Sequence, residues 1–126
     1  MVSSLILIAL ALAFALMGIG ALVSPTVVTR QFGIPSLTAE GRSEVRAVYG
    51  GFGLAIAGAL VYAVVNTDLR EGIALTVAIA LFGMAAGRLV SAAIDRSLSK
   101  VAALYFVIEV VGGGLLLVAR LVREID

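Results

Sequence analysis

The feature that most constrains this chain is the spacing of its charges, which leaves four long apolar runs. Residues 1–29 and 47–67 carry no charged side chain, and 72–94 and 101–119 carry one each. An α-helix rises ~1.5 Å per residue, so about 20 apolar residues cross the hydrocarbon layer of a membrane. We therefore predict one all-α domain, a four-helix transmembrane bundle over residues 1–126, with spans at about 4–23, 43–65, 71–94 and 100–121.

The composition excludes several classes of protein. Hydrophobic residues make up 62% of the chain and charged residues 13%, whereas a soluble domain carries about 25% charged residues, so a soluble enzyme is excluded. The absence of cysteine and histidine excludes a disulfide scaffold and removes the commonest metal ligands, so we expect no metal site. A net charge of +1 provides no basic face for nucleic acid. No pattern identifies a cofactor or decides whether the chain is an enzyme.

The connections between the runs predict how the helices are arranged. Segments 66–70 and 95–99 are short, so each joins two antiparallel neighbours. Segment 24–42 is longer, and there Pro25 can begin a short helix that Gly33 would end. We expect that helix to lie at the membrane surface, and an irregular loop is the alternative. The first run is too long and lacks the basic start of a signal peptide, so we expect it to be retained.

Orientation is predicted from lysine and arginine near the helix ends, because these residues are more frequent in cytoplasmic loops. The side with the two loops 24–42 and 95–99 carries five of them: Arg30, Arg42, Arg46, Arg96 and Lys100. The side with both termini carries three: Arg70, Arg120 and Arg123. We therefore expect a multi-pass protein of the cell (inner) membrane with both termini on the non-cytoplasmic side.

The second and fourth predicted helices begin alike. Residues 43–49 and 99–105 are identical at four of seven positions, and Tyr49 and Tyr105 end the two segments. This similarity predicts two helical hairpins in the same orientation, related by an axis along the membrane normal. Chance similarity is the alternative, since an alphabet of Ala, Leu, Val and Gly repeats itself easily.

Small residues recur at helical spacing and predict where the helices pack. Membrane helices approach each other most closely at such residues, because lipid provides little hydrophobic force between them. The small residues form two stripes and two clusters: Gly51, Ala55, Ala59 and Ala63; Gly83, Gly87 and Ser91; Gly50, Gly51 and Gly53; and Gly112, Gly113 and Gly114. The alternative to packing is that the glycines leave a void for a ligand.

Arg88 and Glu109 are charges inside predicted membrane helices. One charge at mid-bilayer costs roughly 2.5–3.5 kcal/mol on insertion scales, so such groups face inward and find partners. Arg88 precedes Asp95 by seven residues, about 10 Å of helix, and Glu109 follows Lys100 by nine, about 13 Å. The two charges thus lie at a similar depth on adjacent antiparallel helices. We predict that they face each other or share one polar pocket.

Other polar residues gather at the same side of the bundle and predict a pocket that opens there. Ser91 and Asp95 share a helix face with Arg88, and Tyr105 shares one with Glu109. The candidate pocket residues are Arg46, Tyr49, Arg88, Ser91, Asp95, Tyr105 and Glu109, with Arg42 and Glu44 as interfacial charges and Glu44 expected near Arg96 or Lys100. The opposite half has Tyr62 and a few polar residues at its edge, so we predict a one-sided cup and not a channel. The alternative is a purely structural ion pair between Arg88 and Glu109.

The segment 44–51, Glu-Val-Arg-Ala-Val-Tyr-Gly-Gly, is accompanied by Pro25 and Gly33-Ile-Pro35 upstream and by Gly87-Arg88 downstream. With these residues the chain resembles a bacterial family of small four-helix integral membrane proteins known only as a domain of unknown function. The resemblance covers most of the chain and implies the same four-span topology. It implies no activity, substrate or catalytic residue.

Three functions agree with these features. The first is the binding of a small lipophilic or amphipathic molecule, with Arg46 and Arg88 holding an anionic head group. The second is an accessory or structural subunit of a larger membrane complex. The third is a small proton-coupled transporter that acts as a dimer, with Glu109 carrying the proton. The lipid bilayer is a partner in every case, and a homo-oligomer or a larger complex is a further one.

Overall fold

The computed structural model describes residues 1–122, which form helices and no strands. Arg123, one of the cations counted for orientation, lies outside the described residues. The elements are α1 (Val2–Val23), α2 (Pro25–Arg30), α3 (Ala39–Val45), a π-helical turn (Arg46–Gly51), α4 (Phe52–Val65), α5 (Thr67–Asp95) and α6 (Lys100–Leu121). Four continuous segments are long and apolar enough to cross a membrane, which confirms the all-α four-helix bundle: Val2–Val23, Ala39–Val65, Thr67–Asp95 and Lys100–Leu121.

The four spanning helices surround a narrow core. α1 contacts α4 and α6, α4 contacts α5, and α5 contacts α6. Leu7, Leu60 and Leu116 are fully buried at the centre, and most other core residues are alanines. Large apolar side chains lie on the outside instead, where Leu12 is 59% exposed and Ile79 is 61% exposed. An outer surface of this kind suits lipid, because hydrocarbon solvates it without cost.

The bundle has two ends, which differ in structure. The α2 end contains α2, the loop 31–38, the start of α3 and the connection 96–99. The terminal end contains Met1, the end of α6 and the tight turn at Asn66. The pairs α1–α4 and α5–α6 form two neighbouring hairpins, and their origin by duplication stays a prediction.

Two of the helices begin four residues earlier than the charge pattern predicts, at Ala39 and at Thr67. Thr38 caps the first of them, because its Oγ1 accepts a hydrogen bond from the Gly41 N–H at 3.0 Å. The expected loop 66–70 is reduced to Asn66, an extended residue with φ −116° and ψ 92°. Polar residues at the start of a helix are compatible with helical backbone, so a hydropathy boundary marks the edge of the apolar run and not the end of the helix.

The short helix after α1 is present as α2. Pro25 occupies its first turn, although Ser24 makes no side-chain capping bond. After α2 the chain turns at Gly33, whose φ of +83° is in the region that favours glycine. Thr29 Oγ1 donates a hydrogen bond to the Ile34 carbonyl at 3.2 Å and so ties this turn back to the helix.

α1 and the π-helical turn touch through their backbones. A Cβ atom on Gly18 would lie 2.8 Å from the carbonyl oxygen of Gly50, and one on Gly50 would lie 2.8 Å from Leu22. One turn further, a Cβ atom on Gly53 would lie 3.2 Å from the Phe14 carbonyl oxygen. The predicted packing at Gly50 and Gly53 is therefore confirmed, and its partner surface is centred on Gly18.

The prediction that the small residues of the second span, from Gly51 to Ala63, form one continuous packing face is wrong. Gly51 and Ala55 are exposed, whereas Ala63 is fully buried. The π-helical turn places its hydrogen bonds between residues five apart, which changes the angular spacing of the side chains along the span. The buried positions from that turn onwards are instead Gly50, Gly53, Ala57, Leu60 and Ala63.

The glycines of α6 form the contact with α5. A Cβ atom on Gly113 would lie 2.8 Å from the Phe82 ring, and one on Gly112 would lie 3.3 Å from Leu81. Packing at these two glycines is confirmed. Gly114 differs, because no neighbouring atom lies within 4 Å of the position of its Cβ.

The stripe of small residues on α5 does not pack within the bundle. Gly83 and Gly87 have no neighbouring atom within 4 Å of a Cβ position, and Ser91 is exposed. The prediction that this stripe packs against another helix of the chain is wrong, since the opposite face of α5 is the buried one. That face presents Ala74, Val77, Ala78, Leu81 and Ala85.

Candidate functional site

Arg88 and Glu109 form a bidentate ion pair between α5 and α6. Arg88 Nε donates to Glu109 Oε1 at 2.8 Å, and Nη2 donates to Oε2 at 2.9 Å. Glu109 is only 3% exposed, whereas the Arg88 side chain is 24% exposed. The two parallel bonds engage both carboxylate oxygens, a geometry that the planar guanidinium favours. The prediction that the two charges face each other is confirmed.

Tyr105 covers the ion pair from the α2 end. Its ring lies one turn before Glu109 on α6, and the Arg88 Cζ atom is 5.3 Å from the ring centroid, within the range of a cation–π contact. The Tyr105 hydroxyl donates to Gln31 Oε1 at 2.9 Å, and the Phe32 ring packs at 5.5 Å. The segment after α2 therefore holds Tyr105 over the ion pair.

Gln31 is a site residue that the sequence analysis missed. It is an exposed polar residue in a connection, and no spacing in the chain links it to Tyr105, which is 74 positions away. The one signal available was the aromatic Phe32 beside it, which packs against the Tyr105 ring. The contact depends on how the connection folds back over α6, and that is a tertiary property.

An open depression lies beside the ion pair at the α2 end. Its volume is about 370 Å³, and its wall is formed by Tyr49, Met84, Gly87, Arg88, Ser91, Ala92, Ser97, Leu98 and Ala102. Three of the predicted pocket residues, Tyr49, Arg88 and Ser91, are brought together there. Glu109 is not on the wall, because it is buried and directs both carboxylate oxygens to Arg88.

Arg46, a predicted pocket residue, and Arg42, a predicted interfacial charge, both bind backbone carbonyls, and neither lines the depression. Arg46 Nε donates to the Leu22 carbonyl at 3.1 Å, in the last turn of α1. Arg42 Nη1 donates to the Leu37 carbonyl at 2.9 Å. Leu22 lies in the last turn of α1, where carbonyls lack partners within the helix, so the Arg46 guanidinium replaces a missing donor there. Tyr49 lines the depression and Arg46 does not, because the π-helical turn between them changes the angular spacing of the side chains.

The remaining predicted polar residues lie at the edge. Asp95 is exposed and is not part of the wall of the depression. Glu44 is exposed, and among residues 1–122 it forms no ion pair with Arg96 or Lys100. Arg96 itself ends α5 in the left-handed conformation, with φ 49° and ψ 42°. These charges therefore surround the α2 end without joining the site.

A second buried polar cluster lies at the terminal end, so the prediction of one-sided polarity is wrong. Arg70 is 5% exposed and donates through Nε to the Ala63 carbonyl at 3.0 Å and through Nη2 to the Val64 carbonyl at 2.8 Å. Its Nη1 donates to Ser3 Oγ at 2.9 Å. The early start of α5 places Arg70 inside a helix, beside the unpaired carbonyls that end α4.

The two arginine sites differ in what they expose. Arg70 is directed at backbone carbonyls and at a buried hydroxyl, whereas Arg88 faces the depression. Nη1 of Arg88 has no acceptor among the described residues. Tyr49 and Ser91 add hydroxyl groups to the same wall. The depression therefore has guanidinium and hydroxyl hydrogen-bond donors on its wall.

The described residues offer no evident site for a metal ion. In residues 1–122 no three side chains of His, Cys, Asp or Glu come close enough to hold one. The polar chemistry at hand is that of guanidinium, hydroxyl and a paired carboxylate. Such groups bind and orient a ligand through charge and hydrogen bonds.

The model of the family described as "Domain of unknown function (DUF4345)" matches residues 2–120, almost the whole chain. The chain belongs to this family. Comparison with curated proteins and with solved structures finds no significant match. Membership of the DUF4345 family confirms the resemblance seen in the sequence, and it assigns no activity.

Proposed function

We propose that this DUF4345 protein binds a small amphipathic or lipophilic molecule in the depression at the α2 end. The observation that carries the proposal is the partial exposure of Arg88 inside a membrane-spanning helix. An exposed guanidinium in hydrocarbon is costly, and a bound ligand that accepts its remaining hydrogen bonds lowers that cost.

The walls of the depression support an amphipathic ligand over a purely polar one. Met84, Leu98 and Ala102 provide apolar surface, while Arg88 and Ser91 provide polar groups. Ligand sites commonly combine a mostly apolar lining with a few convergent polar groups. The volume of about 370 Å³ is at the lower end of the range for small-molecule pockets, which is about 300–1,000 Å³.

The experiment is photo-crosslinking in native membranes. A photoreactive phenylalanine replaces Met84 on the wall, and a matched control replaces Leu104, a lipid-facing residue that is 58% exposed on α6. We expect mass spectrometry to find one discrete adduct at position 84 and a mixture of bulk lipids at position 104. The same lipid mixture at both positions would contradict the proposal.

An accessory subunit is the second candidate, and the outward stripe of α5 favours it. Gly83 and Gly87 leave backbone exposed on the outer surface, as the helix contacts of membrane complexes require. A stoichiometric partner that survives purification in mild detergent would favour this candidate. The proton-coupled transporter has less support, because both oxygens of Glu109 are held by Arg88.

We also propose that the α2 end faces the cytoplasm and that both termini lie on the other side of the cell (inner) membrane. The α2 end carries Arg30, Arg42, Arg46, Arg96 and Lys100. Arg70 is buried among carbonyls at the terminal end, so it adds little to the exposed charge there. An excess of lysine and arginine of this kind is typical of the cytoplasmic side.

A further inference from the structure

We infer that the ligand of the depression is a single-leaflet amphiphile with an anionic head group, held by Arg88 Nη1 and Ser91, with its chain along the outward face of α5. This inference rests on the proposed function and specifies the class of molecule. The phosphate of a lipid and the carboxylate of a fatty acid share the required chemistry.

The first step is a count of hydrogen-bond donors. A guanidinium carries five N–H groups, and Glu109 occupies one on Nε and one on Nη2. Nη1 carries two more and lies on an arginine that lines the depression. Ser91 stands three residues further along α5 on the same wall. An acceptor with two oxygens can bind both side chains, which is the arrangement that phosphate and carboxylate favour.

The second step is the sign of the charge at this end. Six cations belong to the α2 end or to the helices just beneath it: Arg30, Arg42, Arg46, Arg88, Arg96 and Lys100. Four carboxylates oppose them: Glu40, Glu44, Asp95 and Glu109. The end is therefore net positive even though Asp95 lies one turn beyond Ser91. A positive region with low-dielectric walls concentrates anions.

The third step is the length and character of the open surface beside Arg88. Met84 and Gly87 line the depression, Gly83 lies one turn further from the α2 end, and a Cβ atom on either glycine would meet nothing within 4 Å. The helix from Ser91, at the head group, to Gly83 spans about 12 Å, less than half of a ~30 Å hydrocarbon layer. An acyl chain of one leaflet has this reach, whereas a free anion would leave the apolar surface uncovered.

The test measures binding by native mass spectrometry of the full chain in detergent. The probes are lysophosphatidylglycerol, lysophosphatidylcholine with the same acyl chain, and glycerol phosphate without one. We expect lysophosphatidylglycerol to bind at least tenfold more tightly than lysophosphatidylcholine, and glycerol phosphate to show no binding.

Two glycine variants separate the depression from the rest of the surface. Gly87→Leu places a side chain in the depression, and Gly58→Leu is the matched control on α4, away from the depression. Both variants should fold, because neither glycine has a neighbouring atom within 4 Å of its Cβ position. We expect Gly87→Leu to weaken binding of lysophosphatidylglycerol at least tenfold and Gly58→Leu to leave it unchanged. Ser91→Ala should weaken the same binding severalfold, because it removes one head-group donor without touching the ion pair.

The outcomes distinguish the inference from the proposed function. Equal binding of the two lysolipids, abolished by Gly87→Leu, would overturn the anionic head group and leave amphiphile binding standing. Glycerol phosphate bound as tightly as lysophosphatidylglycerol would overturn the lipid and indicate a free anion. No binding of any probe, or binding that Gly87→Leu does not change, would overturn both.

Discussion

At the scale of single residues, Arg70 and Arg88 both place a guanidinium inside a membrane-spanning helix, and each is stabilised in a different way. Arg70 donates to two backbone carbonyls and a serine hydroxyl, and it is almost wholly buried. Arg88 neutralises Glu109 and keeps part of its surface open to a depression. A charge inside a membrane protein is expensive, so its surroundings indicate its role. By that criterion Arg70 holds helix ends together, and we propose that Arg88 is the residue that meets a ligand.

We expect Arg88→Ala to lower the free energy of unfolding by on the order of 3 kcal/mol, because it leaves the buried Glu109 carboxyl group without its partner. The exchange Arg88→Glu with Glu109→Arg should recover much of that loss. Denaturation with sodium dodecyl sulfate, followed by circular dichroism, measures both changes. A silent Arg88→Ala variant would show that the pair does not stabilise the bundle.

At the scale of elements, the π-helical turn decides how the second span meets the first. It brings the carbonyl of Gly50 so close to Gly18 that no side chain fits between them. Beyond the turn, the buried face follows Gly53, Ala57 and Leu60 and not the small-residue stripe apparent in the sequence. π-helical turns are rare in proteins, and those that occur are often found at functional sites. This turn contains Tyr49, which lines the wall of the depression.

The packing of α1 predicts opposite effects for two neighbouring glycines. Gly18→Ala should cost about 1–3 kcal/mol of stability, because its Cβ atom would lie 2.8 Å from the Gly50 carbonyl oxygen. Gly20→Ala, on the same helix with open space around it, should be neutral or stabilising by up to about 1 kcal/mol, since alanine is the better helix former. Thermal unfolding in detergent compares the two. Equal effects would contradict the close contact.

At the scale of the whole molecule, the bundle is a membrane protein whose ends differ in charge and in chemistry. The α2 end carries most of the cations and the depression, and the terminal end encloses Arg70. At the terminal end, an ion pair also joins α6 to α5, with Arg120 Nη1 3.8 Å from Glu71 Oε1. Polar groups at both ends and apolar side chains on the outer surface between them are typical of a protein that spans a bilayer.

The proposed orientation predicts which end of the molecule is accessible from each side. Because the chain has no native cysteine, single cysteines at Ser36 and at Thr67 report on the α2 end and on the terminal end. We expect an impermeant maleimide added outside intact cells to label Thr67→Cys only, and both variants to react after lysis. Labelling of Ser36→Cys in intact cells would contradict the proposed orientation and indicate the opposite one.

The sequence determined the four spans and the depth of Arg88 and Glu109, because apolar length and helical rise are local quantities that need no knowledge of packing. The tertiary structure decided which face of each helix is buried, since the π-helical turn changes the angular spacing and the short connection at Asn66 turns Arg70 inward. It also brought Gln31 to Tyr105, a contact across 74 positions that only the folded-back connection can make.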